Sequence, residues 1–235
     1  GAFTGAVAQL DGDAALEAVV LWPGFANVID LGQGTIQNSF SIAGTPARLA
    51  FIDHDADGRS EVVVAIRGST SFVQLVDPRT GLELWRSAPT ANPPSGALTS
   101  LDVFDRDGDG SPEILHSGGQ VLQAIDPSSG LPRWLGAVSG WRVTGHDLVG
   151  QRKVLLSLSP GGDRLDRLDA STLVVDRTVF LPTGQMFRAV RRWPAPAPWL
   201  VVGMHDGLAV LGDENLEQLT RARAETFCDH ADPEV

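Results

Sequence analysis

Asp53-His-Asp55-Ala-Asp57-Gly58-Arg59-Ser-Glu61 runs directly into Val62-Val-Val-Ala-Ile66. The same order returns at Asp105-Arg-Asp107-Gly-Asp109-Gly110-Ser111-Pro-Glu113, which runs into Ile114-Leu115. Each stretch sets carboxylates at positions 1, 3, 5 and 9 of a nine-residue loop, with Gly at position 6, ahead of a β-branched segment suited to a strand. Alternate side chains in such a loop converge, the Gly permits a sharp turn, and the carbonyl at position 7 adds a further oxygen. Four converging carboxylates would repel one another without a cation. The pattern therefore implies Ca²⁺, and implies it twice.

An EF-hand would need Glu at position 12 and a helix on either side. Position 12 is Val64 in one loop and His116 in the other, and the flanks read as strands, which excludes it.

Working outward, each loop and its strand is followed by a second strand that ends in a turn. Phe72-Val-Gln-Leu-Val-Asp77-Pro-Arg-Thr-Gly81-Leu-Glu-Leu-Trp85 matches Val121-Leu-Gln-Ala-Ile-Asp126-Pro-Ser-Ser-Gly130-Leu-Pro-Arg-Trp134. Both Asp to Asp and Trp to Trp are 49 residues apart. The turn recurs more weakly at Asp30, at Asp169 and at Leu211-Gly212-Asp213, so that five copies spaced by about 46 residues fill the chain. Each copy reads as four short strands; in the second they are Arg48 to Ile52, Val62 to Ile66, Phe72 to Val76 and Leu82 to Arg86. The turns between them are rich in Asp, Gly and Pro, and no long stretch has a helical period.

Evenly spaced four-strand units predict an all-β chain, a β-propeller of five four-stranded blades. The expected blades are residues 1–43, 44–92, 93–138, 139–182 and 183–222, with a C-terminal tail at 223–235. The first strand is expected at Thr4 to Gln9 and the last at Leu216 to Ala222, so the blade boundaries coincide with the chain ends.

Within this repeat the Asp-x-Asp-x-Asp-Gly-x-x-Glu loop resembles the FG-GAP/VCBS repeat, the family of the calcium-binding blades in the integrin alpha-subunit propeller and of many bacterial secreted proteins. The resemblance implies that Asp53, Asp55, Asp57 and Glu61 supply side-chain ligands and Arg59 a carbonyl ligand. It implies the same of Asp105, Asp107, Asp109, Glu113 and the Ser111 carbonyl. The Asp-x-x-(Thr/Ser)-Gly-x-x-x-Trp segments also resemble the blade signature of quinoprotein-type propellers, in which the Trp docks one blade on the next.

The other copies depart from the motif. Gln9-Leu-Asp11-Gly-Asp13-Ala14-Ala-Leu-Glu17 aligns with the nine positions but has Gln first and Ala at the Gly position, where positive φ would carry a cost. A third Ca²⁺ site at Gln9, Asp11, Asp13 and Glu17 is left open. Gly145-His-Asp147-Leu-Val-Gly150-Gln-Arg-Lys153 has Lys where the last carboxylate would stand, and no ion is expected there. The fifth copy replaces the loop with Arg191-Arg192-Trp193-Pro-Ala-Pro-Ala-Pro-Trp199. This Pro-rich segment with aromatic and cationic flanks is read as a recognition patch for a protein or carbohydrate ligand, with inter-blade packing of the two Trp residues as the alternative.

Composition narrows the function. The 235 residues carry a net charge of −11, and Lys153 is the only lysine, which argues against a phosphate-backbone partner. The eight loop carboxylates account for part of the 29 acidic residues. No apolar run is long enough to span a bilayer, so no membrane insertion is expected. The chain starts at Gly1 without Met and is read as a segment of a larger chain. Calcium loops of this type suit an extracellular or cell-surface setting. Cys228 stands alone beside His230 in the tail, and its role is open.

No nucleophile elbow or phosphate-binding Gly loop is present. The leading expectation is thus a calcium-binding module for protein or glycan binding and scaffolding. The alternative is a catalytic propeller of a polysaccharide lyase or glycoside hydrolase, with a central pocket drawn from Arg142, His146, Arg188, His205 and Asp206.

Overall fold

The computed structural model describes residues 4–91, 100–118, 121–137, 142–147, 153–159, 163–180, 187–193, 199–204, 207–212 and 218–223, the last four stretches by their backbone. All described elements are strands. They form five antiparallel sheets in chain order, each pairing its first four strands in sequence.

Sheet one holds β1 (Thr4–Ala8), β2 (Glu17–Trp22), β3 (Phe25–Asp30) and β4 (Thr35–Ser41). Sheet two holds β5 (Thr45–Ile52), β6 (Glu61–Arg67), β7 (Thr70–Val76) and β8 (Glu83–Arg86), with a short β9 (Thr90–Ala91) also pairing with β7. Sheet three holds β10 (Ser100–Phe104), β11 (Glu113–Gly118), β12 (Val121–Ile125) and β13 (Pro132–Ala137). Sheet four holds β14 (Arg142–Asp147), β15 (Lys153–Leu158), β16 (Arg164–Asp169) and β17 (Val175–Phe180). Sheet five holds β18 (Phe187–Trp193), β19 (Trp199–Met204), β20 (Gly207–Gly212) and β21 (Gln218–Arg223). Four of the sheets have the four strands expected and the second adds β9, with strand ends lying within three residues of those expected from the sequence. The tail with Cys228 and His230 lies outside the described residues.

The chain divides into two compact units, one of residues 1–105 and 109–143, the other of residues 144–235 with the loop residues 106–108. In the first unit β5 packs between β1 and β10, so the first strands of successive sheets are neighbours. Strand β6 shows why its sequence is an unbroken apolar run. Val62, Val64 and Ile66 join Val19, Leu21, Val28 and Phe40 in one core. Val63, pointing the other way, joins Val73, Leu75, Ile114 and Ile125 in a second. A strand covered on both faces needs apolar residues at both parities. The outer strands contrast with this, leaving Ile36, Leu84 and Leu135 exposed.

The repeated turn has one geometry in four sheets. Gly34, Gly81, Gly130 and Leu173 each donate their N–H to the carbonyl of Asp30, Asp77, Asp126 or Asp169, four residues back. The donor takes positive φ in every case, 68°, 73° and 71° for the glycines and 58° for Leu173. The fifth turn, at Asp213, lies outside the described residues.

These turns also dock the sheets. Trp85 of sheet two donates its indole N–H to the Pro127 carbonyl at 2.7 Å and lies over Gly130 in the turn of sheet three. Asn38 of sheet one donates to the Pro78 carbonyl at 2.7 Å, while Phe40 covers Gly81. Trp85 thus has the docking role that the sequence signature implies. Gly is required at both turns because a Cβ would fall 2.6 Å from the Trp85 ring or 2.8 Å from Phe40 Cβ.

Candidate metal centre

The three acidic loops occupy one place in the topology, each joining the first strand of its sheet to the second. Position 9 is always the first residue of the second strand: Glu17 on β2, Glu61 on β6 and Glu113 on β11. These three carboxylates are buried, at 0%, 1% and 1% exposure. A buried carboxylate needs hydrogen-bond donors or a cation. Glu17 Oε2 accepts the Leu10 N–H at 2.7 Å. Glu61 Oε2 accepts the His54 N–H at 3.1 Å and lies 2.8 Å from His54 Nδ1.

The loop path is repeated in detail. Asp13, Asp57 and Asp109 each accept the N–H two residues on, from Ala15, Arg59 and Ser111, at 2.6–2.9 Å. In the second and third loops the position-1 carboxylate accepts the N–H of the position-6 glycine, Gly58 to Asp53 at 2.9 Å and Gly110 to Asp105 at 3.2 Å. Those glycines have φ of 83° and 89°. Position 4 also takes positive φ, in Gly12, Ala56 and Gly108.

The geometry corrects one expectation. Ala14 is not among the residues with positive φ, so its place in the first loop carries no such cost. The strained alanine is Ala56, at φ 60°.

Ligand atoms of Asp53, Asp55 and Asp57 lie within 4.8 Å of one another, as do those of Asp105, Asp107 and Glu113 and those of Asp11, Asp13 and Glu17. Each set offers oxygen alone, the donor chemistry of Ca²⁺ rather than of a softer metal. A further set, His54, Asp55 and Glu61, includes a ring nitrogen.

Two arginines outside the loop motif stand beside the loops. Arg79 is held by Asp77 at 2.9 Å and reaches Asp57 at 3.5 Å and Glu61 at 3.7 Å. Arg133 is held by Asp126 at 3.0 Å and approaches Glu113 at 4.0 Å. They come from different positions, the second residue after the turn Asp and the seventh, yet each links a turn carboxylate to a buried loop glutamate. Burial works against the charge on Asp77, but Arg79 and the Thr80 hydroxyl outweigh it and hold the carboxyl below its ordinary value. The Ser128 hydroxyl, with Arg133 adding to it, does the same for Asp126. The signal in the sequence was an Arg close to each Asp-Pro turn.

The first loop has no such arginine among the causes acting on Glu17. Burial, with Asp11, Asp13 and Asp30 nearby, pushes the Glu17 carboxyl above its ordinary value despite the Leu10 N–H.

Lys153 begins β15, as Glu61 begins β6. Residues 148–152 of that fourth loop lie outside the described residues. In the fifth copy, Arg191, Arg192 and Trp193 close β18 and Trp199 opens β19, with Trp193 and Trp199 directly paired in register. The expected loop is therefore shorter than its sequence suggests, because its flanks are strand; residues 194–198 lie outside the described residues. Of the residues named for a catalytic pocket, Arg142 and His146 fall on β14 and Arg188 on β18, while His205 and Asp206 lie outside the described residues.

No protein-family model and no curated protein matches the sequence. Solved structures do match. A chain of the mitotic checkpoint complex aligns with a TM-score of 0.63 at 14% identity, covering 92% of this chain and 63% of that one. The Pan2 WD40 domain of Neurospora crassa gives 0.63 at 13% identity, with 93% and 65% covered. BamB from Moraxella catarrhalis gives 0.58 at 15% identity, with 93% and 64% covered. The chain thus spans just under two thirds of each neighbour's length. At such identities the likeness is one of fold, and the fold is that of a β-propeller.

Proposed function

We propose that this chain is a calcium-stabilised β-propeller module of an extracellular or cell-surface protein, with five four-stranded blades, that binds a protein or glycan partner. The observation that carries the calcium reading is the repetition of one loop at one joint of the second and third sheets. Each gathers carboxylate oxygens within 4.8 Å and ends in a buried glutamate that starts a core strand. Ca²⁺ bound by Asp53, Asp55, Asp57, Glu61 and the Arg59 carbonyl would tie the loop to β6. Asp105, Asp107, Asp109, Glu113 and the Ser111 carbonyl would do the same for β11. The ion's work is structural: it offsets carboxylate repulsion and fixes the loop between two strands.

Recognition is assigned to the fifth sheet. There the acidic loop's counterpart has become Trp193 and Trp199, paired across β18 and β19, beside Arg191 and Arg192. Aromatic and guanidinium groups of this kind are typical of binding surfaces.

Melting in Ca²⁺ and in chelator tests the calcium reading. Ion at ~100 times its dissociation constant adds about 2.7 kcal/mol, or about 5–10 °C for a chain of this size. Asp55→Ala and Asp107→Ala should each remove part of that difference, and identical melts in Ca²⁺ and chelator would contradict it. Glycan-array and pull-down binding that survives a Trp193→Ala, Trp199→Ala variant would contradict the recognition surface.

A further inference from the structure

The first loop shares its path with the calcium loops but not its centre. Gln9 stands at position 1, and all of its amide's polar capacity is spent inside the loop. Nε2 donates to the Asp13 and Ala15 carbonyls, each at 2.6 Å. Oε1 accepts the N–H of Asp11 at 2.9 Å and of Gly12 at 2.7 Å. The orientation of the amide is set by these partners, because turning it over would face oxygen against two carbonyls and NH₂ against two N–H groups.

The Ala15 carbonyl is the position-7 oxygen, the counterpart of the Arg59 and Ser111 carbonyls assigned to calcium. In the first loop that oxygen is taken by an amide hydrogen. We infer that the Gln9 side-chain amide is a built-in substitute for the cation, closing the first loop without metal, and that the residue at position 1 decides whether a loop of this chain takes an ion. The inference rests on the calcium reading only for its second half.

Gln9 and Ala14 make a compatible pair. With Asp at position 1, the loop needs the position-6 N–H turned toward it by a residue at positive φ, as Gly58 and Gly110 provide. With Gln, Oε1 takes the N–H groups of positions 3 and 4 instead, and position 6 is relieved of that conformation. The two departures from the motif are thus one alternative solution. Glu17 Oε1, buried and without a hydrogen-bond partner, is the carboxylate oxygen that a converted loop would recruit.

Hydrogen exchange in Ca²⁺ and in chelator, on the whole chain, separates the two halves. In the wild type, amides of residues 10–16 should keep equal protection in both, while those of 54–60 and 106–112 lose protection in chelator. Gln9→Ala should raise exchange in 10–16 by about tenfold or more in both conditions, the loss of several loop hydrogen bonds. The variant carrying Gln9→Asp and Ala14→Gly should make residues 10–16 calcium-sensitive and add one ion per chain by equilibrium dialysis with ⁴⁵Ca²⁺.

Calcium-dependent protection of 10–16 in the wild type would overturn the inference, and so would unchanged exchange in Gln9→Ala. Absence of any calcium effect at 54–60 and 106–112 would overturn the calcium reading instead, leaving the Gln9→Ala comparison in chelator to judge the amide closure alone.

Discussion

His116 makes the stability of this fold depend on pH above the range where carboxylates titrate. It sits on β11 with 0% exposure, Nε2 3.4 Å from the Ser71 hydroxyl and Nδ1 without a partner. Burial lowers its pKa from 6.5 to about 4, and the Gln123 side chain offsets only part of that. Because the folded value lies below the unfolded one, the unfolded chain binds the proton more readily. The contribution is whole above pH 6.5 and is lost as pH falls toward 4. The expected loss is ~2 kcal/mol by pH 5 and ~3 kcal/mol by pH 4. Urea denaturation from pH 8 to pH 4.5, in constant excess Ca²⁺, measures it. His116→Gln retains a polar side chain that does not titrate, so that variant should lose far less across the same interval. Parallel losses in the two proteins, or a flat wild-type profile between pH 7 and 5, would refute the assignment.

Two backbone positions yield further expectations. Ala56 is exposed and held at φ 60°, a conformation costly to a residue with a Cβ, so Ala56→Gly should stabilise the fold by ~0.5–1 kcal/mol in urea denaturation; a loss of stability would contradict the strain. Gly130 and Gly34 have matching φ of 71° and 68°, but only Gly130 lies under Trp85. Gly34→Ala should cost ~1 kcal/mol, the conformational part, and Gly130→Ala ~2–4 kcal/mol, since a Cβ would meet the indole. Equal costs would show that Trp85 yields at no expense.

Much of the fold was legible because a propeller repeats its instructions. The turn from Asp77 to Gly81 and the one from Asp126 to Gly130 share a hydrogen bond, a left-handed residue and a neighbour that docks on it, so the spacing exposed the blades. The place of the acidic loops was legible for a related reason, since an Asp- and Gly-rich run before a β-branched segment marks a turn into a strand. What escaped were effects that depend on three-dimensional neighbours. Leu173 takes the left-handed place that Gly fills in the other described turns, so a search for Gly misses that turn's geometry. Arg79 and Arg133 reach equivalent glutamates from unequal positions, which no alignment of the repeat brings together. Gln9 reads as a weakened ligand until its four hydrogen bonds show an amide at the loop's centre. His116 aligns with Val64 of the preceding sheet, and nothing local shows that the imidazole enters the same buried layer. Trp193 and Trp199 were read as loop flanks because five intervening Pro and Ala residues masked the strands on either side.

Isothermal titration with Ca²⁺, on chain stripped by chelator, bears most directly on the calcium reading. Two ions per wild-type chain are expected, falling to one in Asp55→Ala and to one in Asp107→Ala, with none in the double variant. No binding to the wild-type chain at millimolar Ca²⁺, or a stoichiometry unchanged by both substitutions, would contradict it.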